Sequence, residues 1–170
     1  MDQILTADEV FGIGVEIEKN GYAFYSAAAA ATAGMEIKKL LLDLATWETK
    51  HIETFMALRE HLSPQALNEN LYDPGGEITM YLKATADSHV FVKSSTMEKL
   101  TAECKTPVDI LNIAMSFEKE SVVFYSLVRE AVGAASGRGD VEKIIHEELT
   151  HIGYITRELQ KVKAAAAGRA

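Results

Sequence analysis

The chain has 170 residues, 48% of them hydrophobic and 25% charged, with a formal net charge of −8. This describes one globular domain with a real core, and the acidic balance argues against nucleic acid and against an anionic membrane surface as partners. A single cysteine, Cys104, excludes an internal disulfide framework and any multi-thiolate zinc or iron–sulfur site.

Few prolines and few β-branched runs favour helix throughout, and four long helical patterns follow. The first opens at Thr6, an N-cap with Asp8 and Glu9 in its first turn, and carries Phe11, Val15, Glu18, Tyr22, Tyr25 and Ala29 on one stripe. Gly34 reads as its stop. The second runs from about Met35 to His61 with the stripe Leu41, Leu44, Glu48, His51, Phe55 and Leu58. About 45 residues then separate it from the next long helix. That is too many for a simple loop, and short helices are expected over 77–90 and 96–104. The third long helix starts at Thr106–Pro107, with the stripe Leu111, Met115, Glu118, Val122 and Tyr125. A turn near Gly133, with Gly137–Arg138–Gly139 beside the next helix start, leads to Val141, Ile144, Glu148, His151, Ile155 and Glu158. Residues 1–163 are expected to form the domain and 164–170 a frayed tail.

The chain repeats itself at an offset of 100 residues. GVEIEKNGYAFY (14–25) aligns with SFEKESVVFY (116–125), and WETKH (47–51) with EELTH (147–151). What is kept is a Glu, then Phe-Tyr, then Glu-x-x-His. In a helical hairpin, residues equidistant from the turn lie level. Glu18 and Glu48 are therefore level, and His51 shares the face of Glu48 because i and i+3 are neighbours on a helix. Two such hairpins face to face bring Glu18, Glu48, His51, Glu118, Glu148 and His151 to one interior point. A two-fold axis between hairpins makes the second and third helices parallel, so their connection must traverse the bundle. That is about 35 Å for a helix of roughly 23 residues, within reach of the crossover.

Buried carboxylates repel and are costly to desolvate unless cations neutralise them. Carboxylate and imidazole donors suit iron or manganese, and zinc less exclusively. The expected division places Glu18 and His51 on one metal, Glu118 and His151 on the other, with Glu48 and Glu148 bridging. Tyr25 and Tyr125 lie on the same stripes and can donate hydrogen bonds to the carboxylates; a plain core role is the competing reading. Glu16, Glu120 and Glu147 sit at other helical angles and read as solvated. Trp47 reads as packing, Lys19 and Lys119 as surface charges, and His61, His89 and His146 as non-ligands.

Paired Glu and Glu-x-x-His motifs define the carboxylate-bridged metal bundles. Through EKNGYAFY, WETKH, EKESVVFY and EELTH, nearly the whole chain resembles the ferritin-like superfamily, and within it the di-iron domain of the rubrerythrin family. The resemblance implies an all-α, antiparallel four-helix ferritin-like bundle with a long helical crossover between helices two and three. It also implies two iron ions, reduction of hydrogen peroxide or dioxygen, a role in oxidative-stress defence, and an external electron donor such as a rubredoxin-like protein or a reductase. Two departures stand out. The four-cysteine rubredoxin domain typical of that family is absent, and Met115 occupies the place of an extra Glu found in some members. A ferroxidase or iron-storage protein and a non-catalytic metal-binding bundle are the alternatives. The N-terminal residues lack a signal-peptide pattern and no apolar run is long enough to span a membrane, so a cytoplasmic location is expected. Apolar crossover residues (Ile78, Met80, Tyr81, Leu82, Val90, Phe91) make a homodimer the expected assembly, with packing inside the same chain as the equal alternative for them.

Overall fold

Both first-of-hairpin helices begin where their capping chemistry dictates. In the computed structural model, which describes residues 5–67, 71–88 and 104–167, helix α1 spans Ala7–Ala31. Its N-cap, Thr6, forms a reciprocal capping box with Glu9. Helix α2 spans Met35–Glu60 and α3 spans Glu77–Ser88. Helix α4, Pro107–Ala131, repeats the device with Thr106 and Asp109, and has proline in its first turn. A 3₁₀ turn, Ala134–Ser136, leads to α5, Arg138–Ala167. Each box satisfies backbone N–H groups that the helix cannot pair internally.

Side-chain pairings fix the directions. Asp8 meets Arg59 and Gly14 faces Phe55, while Gly21 faces Glu48, so α1 and α2 are antiparallel. Arg129 with Glu142 and Glu118 with His151 make α4 and α5 antiparallel. Tyr25 reaches Glu118 and Tyr125 reaches Glu18, so α1 also opposes α4. Hence α2 and α4 run parallel, and the connection carrying α3 must cross the length of the bundle. The expected segment 96–104 falls, but for Cys104, outside the described residues, as do Val90 and Phe91.

Three local expectations shift. Gly34 is not a left-handed helix stop; its φ is −72° and it is the N-cap of α2. Thr32 closes α1 instead, its hydroxyl donating to the Ala28 carbonyl. Tyr22 is 47% exposed rather than in the apolar stripe. Helix α5 continues past Lys163 to Ala167, as an alanine run readily does. Of the crossover residues, Leu82 is fully buried and Ile78 packs against the core, which leaves Met80 and Tyr81 on the exterior.

The core is divided along the bundle axis. At one end Phe11, Phe55, Val128, Val141 and Ile144 form an apolar layer. At the other, Phe24, Leu41, Leu44, Leu111 and Ile155 form a second. Between them, at mid-height of all four long helices, lie the four glutamates and two histidines of the repeat.

Candidate metal centre

Each of Glu18, Glu48, Glu118, Glu148, His51 and His151 is at most 4% exposed. Glu-x-x-His on α2 and α5 places each imidazole one turn from its own carboxylate. His51 Nδ1 is 3.6 Å from Glu48, and His151 Nδ1 is 3.0 Å from Glu148. The same Nδ1 atoms look across the bundle: His51 lies 3.4 Å from Glu18 and 3.2 Å from Glu148, and His151 lies 3.3 Å from Glu118.

The side chains form two groups whose ligand-type atoms all lie within 4.8 Å of one another: Glu18, Glu48, His51 and Glu148, and Glu118, Glu148 and His151. Glu148 belongs to both, as a shared carboxylate should. Glu48, expected to be shared in the same way, sits with the Glu18–His51 group only. This makes the two groups unequal.

The tyrosines exchange between hairpins. The Tyr25 hydroxyl donates to Glu118 at 2.5 Å, and the Tyr125 hydroxyl donates to Glu18. Both rings are fully buried, one in each apolar layer, so each phenol carries a hydrogen-bond donor from a dry layer to a carboxylate. Glycine matters at one point in this layer. A Cβ on Gly21 would lie 3.2 Å from the Glu48 carboxyl carbon and Oε1, so the bare backbone leaves room for that carboxylate.

Electrostatics describe a cluster short of positive charge. Burial, then the charge of Glu18, pushes the Glu48 carboxyl up; burial, then Glu148, does the same to Glu118. Burial would raise Glu148 too, but Glu118 and the His151 and His51 imidazoles that face it hold it well below the usual range. Burial opposes the charged imidazoles, yet facing carboxylates overcome it. His151 is pushed up to about 9 and His51 is raised further in the same direction. Protons thus offset part of the negative charge of this layer. Even so, Glu48 Oε2, His51 Nδ1 and Glu148 Oε1 are buried without a hydrogen-bond partner. Buried polar atoms without partners, aimed at a common interior, are a cost that a bound cation removes. Hard oxygen and imidazole donors without thiolate fit iron, manganese or zinc.

Two neighbours have roles that the periodicity does not suggest. Glu147 is 55% exposed at its side chain, yet its Oε2 lies 2.9 Å from His51 Nε2. Its angle on α5 points it away from the bundle axis but along the seam with α2, where His51 ends. Trp47 stacks on His151 with ring centroids 4.7 Å apart at 9°, and Tyr154 stacks on Trp47 at 5.5 Å. With Lys50 and Thr150, these residues line a groove of about 310 Å³ that reaches His151. The repeat was the available signal, since Trp47 and Glu147 occupy equivalent places in WETKH and EELTH. The other expectations for surrounding residues are simpler. Lys19 pairs with Glu16 at the surface, and His61 and His146 each bond a carbonyl one turn back. Met115 is half-buried against the second apolar layer. His89 lies outside the described residues.

The architecture and the mid-height polar layer define an all-α bundle of the ferritin-like fold. A solved structure of a Thermotoga maritima protein, described as a candidate ferritin-like diiron-carboxylate protein, is similar over 95% of this chain and 99% of its own, with a TM-score of 0.75 and 23% identity. No family model and no curated protein matches the sequence. Among the described residues no helix is long and apolar enough to cross a membrane.

Proposed function

We propose that this protein is a dinuclear iron oxidoreductase of rubrerythrin type that reduces hydrogen peroxide, or dioxygen, with electrons from an external donor. The observation that carries this reading is the enclosed cluster itself. Four buried carboxylates and two imidazoles share Glu148 and leave three inward-facing atoms unsatisfied. Glu18, Glu48, His51 and Glu148 would hold one ion, and Glu118, Glu148 and His151 the other. Two ferrous ions there would supply the electron pair that, with two protons from solvent, converts one hydrogen peroxide into two waters.

The chain's own residues prepare that step. The apolar layers above and below exclude bulk water, which strengthens every charge interaction inside. Tyr25 and Tyr125 hold Glu118 and Glu18 in place from those layers. The groove at Trp47 and His151 offers a small oxidant an approach from the side of the bundle. One cysteine cannot hold an iron–sulfur centre within this domain, and the donor in this reading is a rubredoxin-like protein or a reductase outside it.

Anaerobic mixing of the ferrous-loaded protein with hydrogen peroxide tests the proposal. Rapid oxidation of both irons with one peroxide consumed per pair supports it. Slow oxidation by peroxide, with ferric iron accumulating inside a large closed assembly, would reassign the chain to ferroxidase and storage chemistry. No oxidation would leave only a metal-binding bundle.

A further inference from the structure

The repeat that builds the centre is broken at one position beside it. Residues 47 and 147 are equivalent by the 100-residue offset, and each reaches the histidine of the other hairpin. In one half the residue is Glu147, whose carboxylate meets His51 Nε2 at 2.9 Å. In the other it is Trp47, whose indole lies flat on the His151 ring. Among the described residues no carboxylate pairs with His151 Nε2; both of its carboxylate contacts are through Nδ1.

A carboxylate on the far nitrogen of a ligating imidazole fixes the tautomer, orients the ring and raises its donor strength. With a cation bound, it would keep the ring proton on His51 Nε2 and leave Nδ1, which faces Glu18, Glu48 and Glu148, as the ligating atom. An indole stacked on the ring restrains its plane but does none of the rest. Donor number independently points the same way, with four side chains in the group that contains His51 and three in the group that contains His151.

We infer that the two metal positions are unequal by construction: Glu147 is a positioning residue for His51, and the Glu18–Glu48–His51–Glu148 position fills before the Glu118–Glu148–His151 position. This rests on the dinuclear reading above. It adds an order of loading, and identifies the exposed Glu147 as its cause. The device suits a centre that must be assembled one ion at a time. The better-furnished position takes the first cation, which leaves the shared Glu148 already oriented for the second.

Zinc titration of the metal-free protein, with its histidines labelled with nitrogen-15, tests the order without reference to activity. The His51 ring resonances are expected to complete their change by one equivalent, and those of His151 to change mainly between one and two. In Glu147→Ala the first step weakens by about 10–100-fold, and the two histidines then respond together. Glu147→Gln, which can still accept the Nε2 proton, keeps the His51 tautomer and recovers part of the gap. Trp47→Glu gives His151 the same backing and narrows the gap from the other side. Two zinc ions bound with both histidines shifting in parallel in the wild type, or with His151 first, would overturn the inference while leaving the dinuclear reading standing. An unchanged first step in Glu147→Ala would overturn the role of Glu147. Equilibrium dialysis retaining fewer than two zinc ions at saturation would instead count against the dinuclear reading.

Discussion

Two buried phenols tie one hairpin to the other at the centre by hydrogen bonds. Tyr125 is fully buried and its hydroxyl donates to Glu18; Tyr25 does the same to Glu118. A buried carboxylate that loses a donor keeps its desolvation cost. Tyr125→Phe should therefore destabilise the metal-free protein by about 1–3 kcal/mol in a denaturant titration. Tyr22→Phe, on α1 and 47% exposed, should stay within about 0.5 kcal/mol. Equal effects of the two substitutions would mean that the Tyr125 bond contributes nothing. At this scale the sequence was legible where residue types recur at a fixed offset. It was illegible where a role depends on the neighbouring helix. Periodicity assigns Glu147 to solvent because it is counted around its own helix axis, whereas its partner, His51, belongs to α2. Trp47 was hidden in the same way, since packing against a core and stacking on His151 look alike in one dimension.

Among the elements, caps and turns were the most readable features because their chemistry is local. Thr6 with Glu9 and Thr106 with Asp109 cap as their spacing dictates. Gly34 was the misread signal. A glycine at a helix boundary serves either side, and here it begins α2 because Thr32 already ends α1. Gly137 has the conformational role that Gly34 lacks. Its φ is +96°, and a Cβ there would fall 2.2 Å from a methyl carbon of Leu58. Left-handed backbone costs an L-residue about 1–2 kcal/mol, and displacing the leucine adds to that. Gly137→Ala is thus expected to lower unfolding free energy by about 1–3 kcal/mol. Gly139→Ala, which meets nothing within 4 Å, should be neutral or stabilising. If the pair behaved alike, the turn between α4 and α5 would differ from that described.

On the scale of the whole molecule, the fold is two apolar layers holding a charged one between them, and protons or cations must complete it. The metal-free protein has a definite pH dependence as a result. Burial disfavours the charged His151 ring, but Glu118 and Glu148 outweigh it and raise the ring from 6.5 to about 9. Glu48 and Glu118 also hold protons more tightly than in the unfolded chain. The folded state therefore binds more protons, and its stability falls as pH rises. The His151 contribution is complete below about 6.5 and lost through about 9. The melting temperature of the metal-free protein should drop across that interval, whereas saturating divalent metal, which replaces those protons, should abolish the drop. A metal-free protein more stable at pH 9 than at pH 6.5 would contradict the charge balance described.

The bundle, its crossover topology and the convergence of six side chains could be derived from the offset of 100 residues and hairpin geometry. The inequality of the two halves could not, because it arises from how α2 and α5 meet. The central claim is that the mid-height layer holds two cations. Anomalous diffraction from crystals soaked in manganese tests it most directly. Two peaks should appear about 3.5–4 Å apart, one beside Glu18, Glu48 and His51 and one beside Glu118 and His151, with Glu148 between them. No peak in that layer, or manganese only at surface carboxylates, would contradict it.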